Sequence, residues 1–397
     1  MVSLRSITAA RDCVSATAAT HAHERTNDLA MVHFLYFEVC PSPPECAPML
    51  LSAPAHDNII IRRCKFLTLS FSGAGHLLPY HLGVIVAIKS SIEQQLSLTP
   101  PIHAVSGSSS GSIAATLYAY FSREQVQEYA NKFISDCGRA MHHLKQLVID
   151  ANASAEAPYY RNSQQSISSC NINSLADTRS HLREMIIDAN VNNVIAASAS
   201  NRHNQSLTLH IATTRCSDGS LHLFNFPSNL SSSDIHTLLQ CLEASCKIPP
   251  HFHPVDVLQK HKWWGSSSLP YPEEDGICIN GISYVDGGIS APAPPTPIDM
   301  MDGACRVIIS PISGSLSSSR RDDEEDGVSA AVVRISPSDN SWKLPLHIKC
   351  KGGFNVYPSI QNFKAMQISA GLATPPILQE WYDRGFHDAT KLMLFST

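Results

Sequence analysis

"AVSGSSSGSIAATLYAY", residues 104–120, places five serines within seven positions, Ser106 to Ser112. Ahead of the tract, "PIHAVSG" is short, apolar and β-branched, like the end of a buried strand. Behind it, Ile113, Ala114, Leu117 and Tyr118 recur at helical spacing. A flexible linker has neither flank, so the serines are predicted to form a tight strand-to-helix turn. Only one frame within it gives G-x-S-x-G, namely Gly107-Ser108-Ser109-Ser110-Gly111 with Ser109 at the centre. A nucleophilic serine needs those glycines because its backbone is strained and side chains two positions away would strike the adjoining strand or helix. The helix start turns its dipole and free N–H groups toward charge forming near Ser109. An ordinary serine-rich turn fits the same five positions, so other residues must decide between the two readings.

The rest of the chain narrows the class. At 397 residues, with 43% hydrophobic and 16% charged, it can bury a sizeable core in one large α/β domain or two smaller ones. A net charge of -5 without a dense Lys/Arg block argues against a nucleic-acid partner. No run approaches the length of continuous apolar sequence that spans a bilayer. Twelve cysteines are scattered without a C-x-x-C pair or zinc-like spacing, which predicts reduced thiols, an intracellular setting and no metal. Residues 1–20 lack the apolar core of a secretory leader. Their Ala, Ser and Thr content, with two Arg and one Asp, resembles an organelle transit peptide instead.

Turn residues divide the chain. Residues 1–58, with "CPSPPECAP", are expected to be a poorly ordered lead-in. "FLTLSF" (66–71) alternates and breaks at "SGAG", a strand feeding a glycine turn, and 80–96 reads as a helix. "LTLHIATTRCSDGSLHLFNF" (207–226) is a hairpin through Asp218-Gly219. A helix is expected over 231–246 and a strand at 306–313, followed by the polar, acidic loop "GSLSSSRRDDEEDG". Residues 359–394 read as helical with a break at Pro375-Pro376. Strands alternating with helices imply an α/β fold with a mainly parallel sheet.

A nucleophile also requires a base and an oxyanion site. In "SFSGAGHLLPYHLGV" (70–84), Gly73, Ala74 and Gly75 follow a strand and open a helix, which leaves their N–H groups unpaired by geometry. With the N–H of Ser110 they are candidates for an oxyanion hole. A dinucleotide loop would want Gly where Leu78 stands, and a P-loop would want Gly-Lys-Ser/Thr, so nucleotide binding fits poorly. For the base, "INGISYVDGGISAPAPP" (279–295) offers Asp286 after a strand and before Gly287 and Gly288. Those glycines let the backbone turn a carboxylate into a crowded site, although Asp-Gly-Gly is also a common plain turn.

A glycine loop, then G-x-S-x-G, then D-G-G resembles the patatin-like phospholipase family, with a closer likeness to its adipose triglyceride lipase and adiponutrin branch. The resemblance runs over residues 66–394 through "SFSGAGHLLPYHLGV", "VSGSSSGSIAA", "TRCSDGSLHLFNF", "CKIPP", "ISYVDGGIS", "IISPISG" and "AGLATPPILQEWYDRGFHDATKLM". It implies a three-layer α/β fold, a mainly parallel central sheet flanked by helices. The catalytic domain would span 66–300, with 301–397 packing on it as strand, acidic loop and helical tail. It also implies a Ser–Asp dyad acting on lipid acyl esters without cofactor or metal. Ser109 would be the nucleophile, Asp286 the general base, and Gly73, Ala74, Gly75 and Ser110 the oxyanion hole. Gly107 and Gly111 would shape the nucleophile turn, and Gly287 and Gly288 the aspartate loop. Three positions depart from the family pattern: Leu78 stands for a glycine, Ser108 for a small apolar residue, and "ISAPAP" follows the D-G-G in place of an Asn-x-Pro type run.

A Ser–Asp–His triad would draw on His347 or His387, which both follow Asp286. A catalytically weak lipid- or protein-binding scaffold keeps the same fold, and an acyltransferase shares the same acyl-enzyme. His251 and His253 have no third ligand beside them. For lipid access, Trp263-Trp264 would suit a membrane or droplet interface, or else the core. Arg62, Arg63 and Lys65 would meet anionic headgroups, or solvent. The expected setting is cytoplasmic with peripheral membrane or lipid-droplet association, organelle targeting being the alternative.

Overall fold

The computed structural model describes residues 38–40, 61, 64–93, 100–154, 207–249, 271–316, 331–339, 341–344, 347–350, 354–370 and 373–394. Arg62, Arg63, His251, His253, Trp263, Trp264, the acidic run from Asp322, and the lead-in apart from one short strand lie outside them.

In chain order the strands are β1 (Glu38–Cys40), β2 (Phe66–Phe71), β3 (Ile102–Gly107), β4 (Thr208–Arg215), β5 (Leu221–Phe226), β6 (Ile277–Ile279) and β7 (Ile282–Asp286). They continue as β8 (Ala304–Ile309), β9 (Gly314–Leu316), β10 (Ala331–Ile335), β11 (His347–Cys350) and β12 (Phe354–Val356). The helices are α1 (Leu78–Glu93), α2 (Ser110–Tyr120), α3 (Arg123–Ser154), α4 (Ser232–Ser245), α5 (Ile360–Ala370) and α6 (Pro375–Leu394).

The main sheet runs β10-β8-β2-β3-β4-β7-β6, with β5 also on β4. Its centre is parallel from β10 through β4, whereas β5, β6 and β7 pair antiparallel. The fold is therefore α/β, a mixed sheet with parallel central strands flanked by helices. The antiparallel end makes it less uniformly parallel than the alternation of elements predicts, because the short β6–β7 hairpin needs no helical crossover. A second, antiparallel sheet, β1-β11-β12-β9, was not foreseen. Its strands are three or four residues long, too short for alternation to register.

Alternation in β2 shows how sequence sets the layers. Leu67, Leu69 and Phe71 enter the apolar core shared with α1 and α2. Thr68 and Ser70 face the other way, donating to Asp299 and to the Pro294 carbonyl. Arg306 of β8 meets the same segment through the Ala293 carbonyl and Asp299. One sheet face is thus oily and the other is tied by polar bonds to the run that follows Asp286.

Helix α1 is buried from Leu78 to Ile88, because α6 lies along it. Their backbones approach closely: a Cβ on Gly83 would stand 2.0 Å from the Tyr382 carbonyl oxygen, and one on Gly385 2.1 Å from that of Tyr80. Helix α4 begins at a Ser231 cap, whose side chain accepts from the Asp234 N–H while Asp234 reaches back to the Ser231 N–H. Pro375 and Pro376 open α6, where a missing N–H costs nothing, so the C-terminal helical stretch divides there into α5 and α6.

Candidate active site

Strand β3 ends at Gly107 and α2 begins at Ser110, leaving two residues for the reversal. Ser109 takes the strain, with φ 52 and ψ -133, a conformation that L side chains rarely adopt. The flanking glycines are dictated by contact. A Cβ on Gly107 would lie 2.1 Å from the Gly111 carbonyl oxygen, and one on Gly111 2.4 Å from those of both Phe71 and Ser72. Nothing larger than hydrogen fits at either place.

Each hydroxyl of the serine tract then has its own partner. Ser106 donates to the Pro294 carbonyl at 2.7 Å, Ser108 to that of Pro292 at 2.8 Å, and Ser112 to that of Ser109 at 2.6 Å. Ser110 Oγ accepts from the Ala74 N–H at 3.0 Å. The Ser109 side chain alone hydrogen-bonds the carboxylate of Asp286. The structure therefore brings together the serine and the aspartate singled out from sequence.

Asp286 ends β7, and its backbone is fixed on both sides. Its N–H donates to the Lys247 carbonyl at 2.9 Å, and its own carbonyl accepts from the Thr214 hydroxyl at 2.7 Å. The carboxylate accepts from the Gly288 N–H at 2.6 Å. Gly287 lies flat on β4, where an added Cβ would be 2.0 Å from the Ala212 carbonyl oxygen. Burial pushes the Asp286 carboxyl up to about 7, against the opposing pull of the Ser109 and Gly288 hydrogen bonds. A carboxylate near neutrality is a much better proton acceptor than one in solution.

Among the described residues, no histidine bonds Ser109 or Asp286. His387 is exposed on α6. The Cys246 thiol, bonded to Ser112 and near Asp286, is pushed up to about 12 by burial and by that neighbouring negative charge, so it stays protonated.

The glycine loop is more heavily paired than its position in the sequence predicts. The Gly73 N–H donates to the Pro292 carbonyl at 3.1 Å, and the Ala74 N–H is held by Ser110 Oγ. Gly75 and Ser110 stand at the first positions of a 3-10 turn and of α2, where helical geometry supplies no partner for their N–H groups. His81, fully buried on α1, supports the loop from behind. Its Nε2 bonds the Ser72 carbonyl at 2.9 Å, and desolvation lowers its pKa to about 4, which keeps the ring neutral.

Two supporting residues escaped the sequence reading. Ser245 accepts from the Ser109 N–H at 2.9 Å and donates to the Ala212 carbonyl at 2.7 Å, so one hydroxyl ties the strained turn to β4. Thr214 receives the Ser290 N–H at 3.2 Å and steadies the loop beyond Asp286. Both are single hydroxyl residues with no local pattern to mark them.

The sequence profile of the patatin-like phospholipase family matches residues 69–299, a span that holds the glycine loop, the serine turn and the aspartate loop. The chain belongs to this family. No curated protein matches it. Among solved structures, it is similar to a chain of the heterodimeric ExoU–SpcU complex from the type III secretion system of Pseudomonas aeruginosa. The identity there is 13%, over 84% of this chain and 52% of that one, with a TM-score of 0.32. It is also similar to VipD from Legionella pneumophila, at 13% identity over 83% of this chain and 67% of that one, with a TM-score of 0.31. The patatin-like chain thus spans about half the length of the first of these structures. No group of three or more metal-ligating side chains occurs among the described residues, and no described helix is long and apolar enough to cross a membrane.

Proposed function

We propose that this patatin-like protein is a serine-type lipid acyl hydrolase with Ser109 as nucleophile and Asp286 as general base, acting on carboxylic esters of acylglycerols or phospholipids. The observation that carries the reading is the contact of Ser109, strained in a glycine-bounded turn, with a buried carboxyl whose pKa is raised to about 7. Asp286 takes the Ser109 proton as the hydroxyl attacks the ester carbonyl. It then delivers that proton to the departing alcohol, and water repeats the sequence on the acyl-enzyme. The N–H groups of Gly75 and Ser110 are the first donors to the tetrahedral oxyanion. That of Ala74 joins them when Ser110 Oγ turns aside, and Gly73 shapes the loop from its bond to Pro292. The motif series shared with the adipose triglyceride lipase and adiponutrin branch favours neutral acylglycerols within that substrate class. We take residues 66–300 as the catalytic domain and 301–397 as packing on the same domain, a division supported by the pairing of β8 with β2 and the packing of α6 on α1.

A fluorophosphonate probe and a lipid panel (triacylglycerol, phosphatidylcholine, lysophospholipid, galactolipid) test this directly. Wild type should be labelled and should release fatty acid from at least one lipid, and Ser109→Ala should do neither. Equal hydrolysis by the variant would end the assignment. Absence of labelling in both would favour a binding scaffold.

A further inference from the structure

Helix α5 is apolar on two sides: Ala365 and Ile368 pack in the core, and a second apolar set faces outward. Its sheltered side carries Asn362, Ala365 and Ser369, while Ile360, Phe363, Lys364 and Gln367 share the solvent side at i, i+3, i+4 and i+7. Ile360 and Phe363 are 50% and 51% exposed. Trp342, at 65%, lies beside them, its carbonyl accepting from the Ile360 N–H at 3.3 Å. Leu344 joins the patch, its N–H donating to the Pro358 carbonyl at 2.9 Å. Single exposed apolar side chains are ordinary, but four large ones together mark an interaction surface.

The helix cannot easily roll to hide them. Asn362 accepts from the N–H and hydroxyl of Ser313, at 2.8 and 2.9 Å, and donates to the carbonyls of Ser313 and Tyr357, both at 2.8 Å. Rolling Phe363 inward would strand all of these groups without partners. Ile360 and Phe363 therefore face outward by construction.

Charge identifies the occupant. Two exposed lysines, Lys343 and Lys364, neighbour Trp342 and Phe363 in sequence, and the described acid of residues 331–370 is Asp339. Asp339 is engaged by the hydroxyls of Ser313 and Ser341. Trp, Phe and Ile set among lysines suit the headgroup level of a bilayer, and a basic surplus attracts anionic lipid. A second copy of the chain would bring its own Lys343 and Lys364 to the contact, which like-charge repulsion opposes.

The far end of α5 backs the glycine loop. His76 Nδ1 lies 3.3 Å from the Ser369 carbonyl oxygen, and a Cβ on Gly75 would be 2.2 Å from that oxygen. From Ile360 to Ser369 the helix rises about 14 Å. We propose that Trp342, Leu344, Ile360 and Phe363, together with Lys343 and Lys364, form the face by which the protein docks on an anionic lipid surface. This rests on the lipid acyl hydrolase reading above, and through α5 it sets the glycine loop at a fixed distance from that surface.

The test is co-sedimentation of the full chain with phosphatidylcholine vesicles, with and without phosphatidylserine. Wild type should pellet with the anionic vesicles and release from them in high salt. The triple variant Trp342→Ser, Ile360→Ser, Phe363→Ser should bind at least about tenfold more weakly. Its hydrolysis of a soluble short-chain ester should be unchanged, which also reports that it folds. The surface variant Lys343→Glu, Lys364→Glu should lose the preference for anionic over neutral vesicles. Unchanged vesicle binding by the triple variant overturns the proposal, as does a wild-type dimer that becomes monomeric in that variant while still binding vesicles. Wild type that binds anionic vesicles through this face but cleaves no ester would refute the hydrolase reading and leave the docking face standing.

Discussion

The Ser108 hydroxyl donates to the Pro292 carbonyl at 2.8 Å, joining the residue before the strained Ser109 to the loop that leaves Asp286. Ser108 and the "SAPAP" run, distant in sequence, are thus two ends of one contact. Gly73 N–H meets the same carbonyl, and Ser70 and Ser106 both donate to that of Pro294. Ser108→Ala removes one of two donors to the Pro292 oxygen, so stability should fall by about 1 kcal/mol. If that loss is felt in positioning, kcat/KM for a soluble ester should drop about fivefold. Denaturant melts and steady-state kinetics measure both. An unchanged kcat/KM would show that the anchor serves the fold alone.

Ser109 invites a pair of substitutions. Ser109→Ala keeps the strained backbone and should cost at least about 10³-fold in ester hydrolysis with little change in stability. Ser109→Gly also loses activity but relieves a conformation worth about 1–3 kcal/mol of strain, partly offset by the greater freedom of glycine in the unfolded chain. A net gain of about 1 kcal/mol over Ser109→Ala is expected. Thermal melts of the two variants decide whether the turn is strained as described.

The proposed role of Asp286 as base should show in the pH profile. Only ionised Asp286 can accept a proton, and its pKa is raised to about 7. For a soluble ester, kcat/KM should therefore climb as pH rises through about 7 and level off above it. A profile already flat from pH 5 upward would mean that the carboxylate ionises as it would in water, and that burial does not tune it.

Sequence made the strand-to-helix turn, the single G-x-S-x-G frame and the glycine loop legible, because each is a local constraint: a contact distance or a backbone angle that only certain residues satisfy. The hairpin at Asp218-Gly219, with Gly219 at φ 69, was readable for the same reason. What escaped was non-local. Ser245 matters because it stands between Ser109 and Ala212. Pairing of the Gly73 N–H could not be foreseen, since its acceptor, Pro292, lies in a loop more than two hundred positions later. The exposed side of α5 was hidden too. Its period fits any amphipathic helix, and only the bonds of Asn362 reveal which side faces outward.

Raising the pKa of Asp286 has a thermodynamic consequence separate from catalysis. In the folded chain the carboxyl titrates near 7, and in the unfolded chain near its ordinary value of 3.8. Between those values the folded state holds the extra proton, so stability falls as pH rises across that window and stays reduced above it. The direction is opposite to that of a salt-bridged aspartate, whose ionisation favours the fold. Asp286→Asn removes the buried charge while its side-chain oxygen can still accept from the Gly288 N–H. The variant should be catalytically dead yet more stable than wild type at pH 8, by at most about 4 kcal/mol. The difference should shrink as pH falls and vanish near pH 4, where the wild-type carboxyl is protonated in the fold. Chemical denaturation of both proteins at pH 4, 6 and 8 measures this. A variant less stable than wild type at pH 8 would mean that the ionised carboxylate, held by Ser109 and Gly288, supports the fold instead of straining it.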